Sequence, residues 1–272
     1  MKDQIAHPLF NSISQTGSGA RSNYHAVTVT ANRRFSKGLQ FQASYAFAKN
    51  LSNGGGANPT GFASQNGGSV SDRFNYELDY GNVAFTRRHR FQTTFLYAPQ
   101  VNVSNSILRH ATNGWELAGV LMSQTGPFMT VITSGADPGG LGQGQTAGGT
   151  VRADFAPGNI PLYPVNQGPS SWINAAAFLV PKNNIGRFGN SPIGSVIGPG
   201  TQALSLSVFR SLKFSETIQL RLGLAAANTL NHPNYATPAL TLGNATFGTI
   251  TSLQSAEGAG PRNLQLTGRL TF

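Results

Sequence analysis

Histidines are the side chains best suited to metal ligation and proton transfer near neutral pH. This sequence has five of them, His7, His25, His89, His110 and His232. No two stand at a metal-ligand spacing, so ordinary surface and loop positions are expected. Asp72, Glu77 and Asp79 fall in one segment, but a Ca²⁺ site needs several convergent oxygens, and a solvated loop is the expectation. The run GGLGQGQTAGG at 139–149 has spaced glycines without the Lys-Ser/Thr of a phosphate loop, and is read as a flexible loop. No Gly-x-Ser-x-Gly elbow or Ser–His–Asp set stands out. With no Cys, disulfides and thiolate metal sites are excluded. These residues predict no enzyme, no cofactor and no metal site.

The elements tell more. Only 10% of residues are charged while Gly numbers 33, against the usual quarter or so of charged residues in soluble proteins. Neutral polar residues replace the missing charge, which suits a wall with one face in lipid and one in water. No apolar run approaches the roughly 20 residues of a transmembrane helix. MKDQIAHPLF has no apolar stretch behind its Lys, so it does not read as a secretory signal, and an internal start or truncation is expected.

The patterning has period 2. Over 39–49, Leu39, Phe41, Ala43, Tyr45 and Phe47 alternate with Gln40, Gln42, Ser44, Ala46 and Ala48. A helix would scatter those aromatics around its circumference. The alternation recurs through Val27, Val29 and Ala31, through Phe91, Phe95 and Tyr97, and through Trp115, Leu117, Gly119 and Leu121. It returns in Leu204, Leu206 and Val208, then in Ile218, Leu220, Leu222 and Leu224. The last run sets Leu264, Leu266, Gly268, Leu270 and Phe272 against Asn263, Gln265, Thr267, Arg269 and Thr271. Each run is about the 9–11 residues of a tilted membrane strand. After Val208 the apolar phase falls on Arg210, which at mid-membrane would cost roughly 2–4 kcal/mol. A bulge near Phe209 or an interfacial position would resolve the conflict.

Connections alternate in length. Phe35-Ser36-Lys37-Gly38 and Ser215-Glu216-Thr217 read as tight turns, and 99–112 is moderate. The segments 50–86, 125–201 and 230–261 are long and rich in Gly, Pro, Asn and Ser. Asn231-His232-Pro233-Asn234 reads as a turn at a strand end. Short turns on one side and long loops on the other are the habit of outer-membrane barrels. The expected fold is all-β: an antiparallel transmembrane β-barrel segment of about seven strands, a partial barrel with long extracellular loops. Residues 1–21 are an irregular lead-in, part of an upstream loop, and 22–272 form the C-terminal part of the barrel. If Phe272 ends on the periplasmic side, every long loop falls outside. Because single-chain bacterial barrels have even strand numbers, upstream strands are expected to be missing. A hairpin within 125–201, such as 127–132 pairing with the strand before it, would change the count.

The net charge of +10 prompts a search for nucleic-acid binding, but the basic residues are scattered and no basic stripe with interleaved aromatics is present. No nucleic-acid partner is expected. The one cluster is Arg87-Arg88-His89-Arg90. Strand phase turns Arg88 and Arg90 to the lumen, with Arg221 and Arg269, and turns Arg87 and His89 outward near the headgroups. An electropositive mouth guiding anionic solute and a contact with lipopolysaccharide phosphate are both open readings.

The chain resembles the C-terminal half of the barrel in TonB-dependent receptors, particularly the large Oar-like receptors of Acidobacteria with an N-terminal carboxypeptidase-regulatory-like domain. The matching stretches are SNYHAVTVTANRRFSKGLQFQASYAFAKN, RRHRF, GWELAGVLMSQTGPFMTV, NNIGRFGNSPIGSVIGPG, AANTLNHPNYATP and PRNLQLTGRLTF, in the family's order. Thr86 stands where that family usually has Asp. The resemblance implies residence in the bacterial outer membrane, contact with lipid and lipopolysaccharide, and uptake of an unknown small molecule, oligosaccharide or peptide. It also implies a plug that the basic mouth residues would touch. The plug and TonB box that couple energy are not among these stretches, so this chain by itself is not expected to transport actively. Leu264, Leu266, Gly268, Leu270 and Phe272 resemble the signal read by the barrel-assembly machinery. A surface β-rich binding module or adhesin, its apolar residues facing a closed sandwich core, and a small passive porin are the alternatives.

Overall fold

The computed structural model describes residues 18–54, 71–72, 75–84, 86–102, 104–133, 136, 138–139, 151–255 and 258–272. His7, most of the 139–149 glycine run and most of the 1–21 lead-in lie outside the described residues.

Alternating sequence becomes alternating structure. Seven long strands, β1 (Ser22–Ser36), β2 (Leu39–Ser52), β3 (His89–Tyr97), β4 (Trp115–Gln124), β5 (Thr201–Lys213), β6 (Gln219–Ala227) and β7 (Asn263–Thr271), pair antiparallel in sequence order. Lys37 and Gly38, at φ 51° and 78°, close the β1–β2 hairpin, because a tight hairpin turn needs positive φ at its centre. The segment 127–132 does not pair with β4. Phe128–Met129 pairs with Val196–Ile197, and Ile132–Thr133 with Val151–Arg152 and Thr241–Leu242, so the long strands among the described residues stay at seven.

Register shows the two faces directly. One row crosses six strands through Leu39, Tyr97, Leu117, Val208, Leu224 and Leu266, and every member is apolar. The row through Thr30, Ser44, Gln92, Met122 and Ala203 belongs to the smaller, more polar face. The apolar row starts at the first residue of β2 yet crosses β7 at Leu266, five residues before Thr271. At about 3.3 Å per residue and 4.8 Å per strand, that stagger over five intervals is a tilt of about 35°. Barrel strands tilt by the same amount.

Among the described residues no second sheet covers the apolar face. Leu266 is 81% exposed and Val29 62%, which removes the closed sandwich core of the binding-module reading. The sheet does not close on itself, and β1 and β7 are its two edges. Arg210 needs no bulge: the register runs unbroken from Lys213↔Gln219 to Leu206↔Ala226. Arg210 sits on the apolar face, opposite Trp115 at the short-turn end of β4.

The long connections carry structure of their own: Met129, Val131, Ala153, Ile173, Ala177, Phe178, Val196 and Leu240 form a buried cluster. All lie outside the seven strands, in segments that show no periodicity. The 99–112 connection carries a helix, α1 (Ser106–Thr112), which Asn105 caps at its N-terminus.

Candidate functional site

The long connections meet at one end of the sheet and form a cap. Two-residue strand pairs join distant parts of it, and Ile132 N donates to Leu240 O at 3.0 Å. Trp172 donates its indole N–H to Ile197 O at 2.9 Å, while Tyr163 Oη accepts from Ile197 N at 2.7 Å. Burial raises the Tyr163 phenol above its ordinary pKa against the smaller opposing effect of that bond.

Ion pairs tie the cap internally. Asp154 receives both terminal nitrogens of Arg187 at 2.7 Å and the Asn190 N–H at 2.9 Å. Burial alone would raise the Asp154 carboxyl, but those bonds and the guanidinium charge together hold it below the usual carboxylate range. Asp79, fully buried, accepts from Ser71 N and Oγ and faces Arg152 at 3.8 Å. Burial lowers the Arg152 pKa, opposed by the Asp79 charge. Glu77 turns instead to Arg21. Asp79 and Glu77 therefore have separate cationic partners and do not converge. Among the described residues no group of three His, Cys, Asp or Glu could hold a metal.

The cap lies against the polar face. Ala48, Met122, Gln124, Thr201 and Ala203 are buried wall residues, and by register all five belong to that face near the cap end. A polar clasp joins wall to cap: Gln124 Nε2 donates to Thr201 Oγ1 at 3.4 Å, and Thr201 donates to Gln254 Oε1 at 2.9 Å. Asn234 Oδ1 accepts from Gln202 N at 2.7 Å, and its amide donates to Ala259 O at 3.2 Å. Asn228, at φ 45°, donates to His232 O and Gly260 O, each at 2.9 Å, and accepts from His232 N at 3.0 Å. Asn231 is also left-handed, at φ 52°, as the expected 231–234 turn requires. Sequence reading gave Asn231 and Asn234 a turn role and gave Asn228 none; the buried fastening role of Asn228 and Asn234 carried no signal of its own.

The four basic residues do not form one ring. Arg88 donates to Asn82 Oδ1 at 3.3 Å and lies over the Phe128 and Phe47 rings at 5.0 and 5.9 Å, so it reaches into the cap. Arg90 points its guanidinium to Met122 Sδ at 3.8 Å. Arg221 and Arg269 face each other across β6 and β7 on the polar face, far towards the short turns. Arg221 is paired register-wise with Ser211, ten residues along β5 from Thr201, the cap-end partner of Gln124; that is roughly 30 Å of strand. Arg221 lies 4.4 Å over the Phe209 ring and pairs with Glu116 at 3.0 Å. His89, on the apolar face, meets Tyr45 Oη at 2.8 Å and packs against Phe47. On β7, Leu264, Leu266 and Leu270 are 62%, 81% and 57% exposed on the apolar face, Gly268 lies opposite Leu222, and the terminal Phe272 is 91% exposed.

A tilted antiparallel meander with one apolar face, one polar face and a folded cap at one end can separate lipid from water and present a solute-facing surface. A family model described as "Outer membrane beta barrel domain" matches residues 2–265. No curated protein and no solved structure matches the chain.

Proposed function

Because this chain belongs to the outer membrane beta barrel domain family, its seven strands being wall in a bacterial outer membrane, we propose that it is the barrel portion of a TonB-dependent receptor for nutrient uptake. The observation that carries the receptor reading is the cap. Two long connections, β4–β5 and β6–β7, share one buried core against the polar face at one end, and the third, β2–β3, is tied to it through Asn82 N donating to Ile193 O at 3.2 Å and through the Asp79–Arg152 pair. A passive wall needs no such structure, whereas solute capture needs a surface pre-organised before binding. The TonB-dependent part of the reading rests on the six ordered stretches from 22 to 272.

In this reading the cap faces outward and the short turns face the periplasm. Further strands complete the ring at the edges of β1 and β7, since unpaired strand edges are not tolerated in hydrocarbon. A plug fills the lumen against the polar face, where Arg90, Arg221 and Arg269 lie. Lipopolysaccharide surrounds the cap end, and the assembly machinery reads the β7 terminus. The solute is a small molecule, oligosaccharide or peptide, and it crosses chemically unchanged.

Uptake of labelled oligosaccharides and peptides tests this, in cells with the gene intact or deleted, before and after the proton-motive force is collapsed. Uptake is expected to require both the gene and the force. Gene-dependent uptake that survives an uncoupler would make the protein a passive porin.

A further inference from the structure

The connection between β3 and β4 contains a helix whose position is set by the lipid-facing side of the wall. Seven residues of helix span about 10 Å, too few to be stable without outside contacts. Its N-terminal contact is local: Asn105 Oδ1 accepts from Ile107 N at 2.9 Å and Leu108 N at 3.2 Å. At the other end the contacts come from the sheet. Trp115 donates its indole N–H to Ala111 O at 2.9 Å. Arg210 donates to His110 O and Asn113 O, and its guanidinium lies 4.9 Å over the Trp115 ring. Trp115 and Arg210 are direct register partners on the apolar face. The helix is therefore fastened to the lipid side of the sheet. Asn113 closes the base of the connection through reciprocal bonds with Val101 N and O at 2.7 and 3.0 Å.

Ile107 is 80% exposed and Leu108 54%. With Ala111 they span about 100° of the helix circumference, and Arg109 lies outside that arc. Arg109 is also exposed. Tyr97 and Trp115, 43% and 44% exposed on the adjoining apolar face, continue this surface into the wall, and aromatic residues of this kind sit at headgroup level.

We propose that α1 is an interfacial lipid anchor, with Ile107 and Leu108 in the headgroup–acyl boundary of the leaflet at the short-turn end and Arg109 directed to lipid phosphate. Continuity with the lipid-facing wall identifies the occupant as phospholipid. The inference rests on the membrane placement of the sheet.

The absence of Cys makes single-label tests direct. Ile107→Cys and Leu108→Cys in the full chain, labelled with an environment-sensitive fluorophore, are reconstituted in phosphatidylcholine–phosphatidylglycerol vesicles containing brominated lipids. Leu224→Cys reports the wall and Val165→Cys the cap. The expected result is blue-shifted, bromine-quenched emission at 107, 108 and 224, with unquenched, water-like emission at 165. Quenching at 224 without quenching at 107 and 108 overturns the anchor alone. No quenching at 224 overturns the membrane placement beneath it.

Discussion

Two side chains in the cap illustrate how single residues hold it. The folded pKa of Asp154 is depressed, so its stabilisation is complete above the unfolded value of about 3.9 and is lost as pH falls through the folded value. Amide exchange over 151–155 is expected to stay slow from neutral pH to about pH 4 and to accelerate below it; Asp154→Asn should remove that acid dependence. Asn228 is a different case, because its partners are backbone groups and do not titrate. Asn228→Ala would leave buried donors and acceptors unpaired, and urea unfolding should show a loss of about 3 kcal/mol. Neither role was legible beforehand. Asp154 drew no attention because its partner is 33 residues away, and Asn228 drew none because its partners are backbone groups, such as Gly260 O, that no residue type announces.

At the level of elements, the strands were legible and the cap was not. Alternation places Phe41 opposite Phe95 and Leu224 opposite Leu266, because a period of two fixes the face of every side chain once one is known. The cap has no such rule: Val131, Ala153, Ile173 and Val196 come singly from distant segments, and only their mutual contact shows that they form a core. The helix α1 was hidden for a related reason, since sheet contacts rather than its own seven residues hold it. One pairing within the sheet was also invisible. A Cβ on Gly223 would meet the Phe209 ring at 2.6 Å, so that ring, which also carries Arg221, lies flat on the missing side chain. Gly223→Val should push Phe209 aside and destabilise the sheet by about 1–3 kcal/mol, read by urea unfolding in detergent. The Arg221–Glu116 contact should loosen with it.

For the whole molecule, order along the chain equals order across the sheet, so the wall grows by adding one hairpin beside the last. The final strand presents Leu264, Leu266 and Leu270 on one face and ends on an exposed Phe272. Phe272→Ala is expected to leave cap contacts untouched but to lower the yield of inserted protein, measured as the fraction with heat-modifiable mobility in membrane extracts. A normal inserted fraction would show that the terminal aromatic is not read.

If the cap captures solute, as proposed above, its shared core also bears on how that specificity can be altered. Loops that stand apart can be exchanged one at a time. Here Val131 and Leu240 belong to different connections yet lie in one cluster, so a foreign loop grafted in place of either would strip the shelter from the other. New recognition must come from repainting the outer surface residues while leaving the interior alone, or from transplanting the connections as a matched set. The cap is heritable as a unit, and a library that diversifies one loop through its full length would mostly sample unfolded mouths.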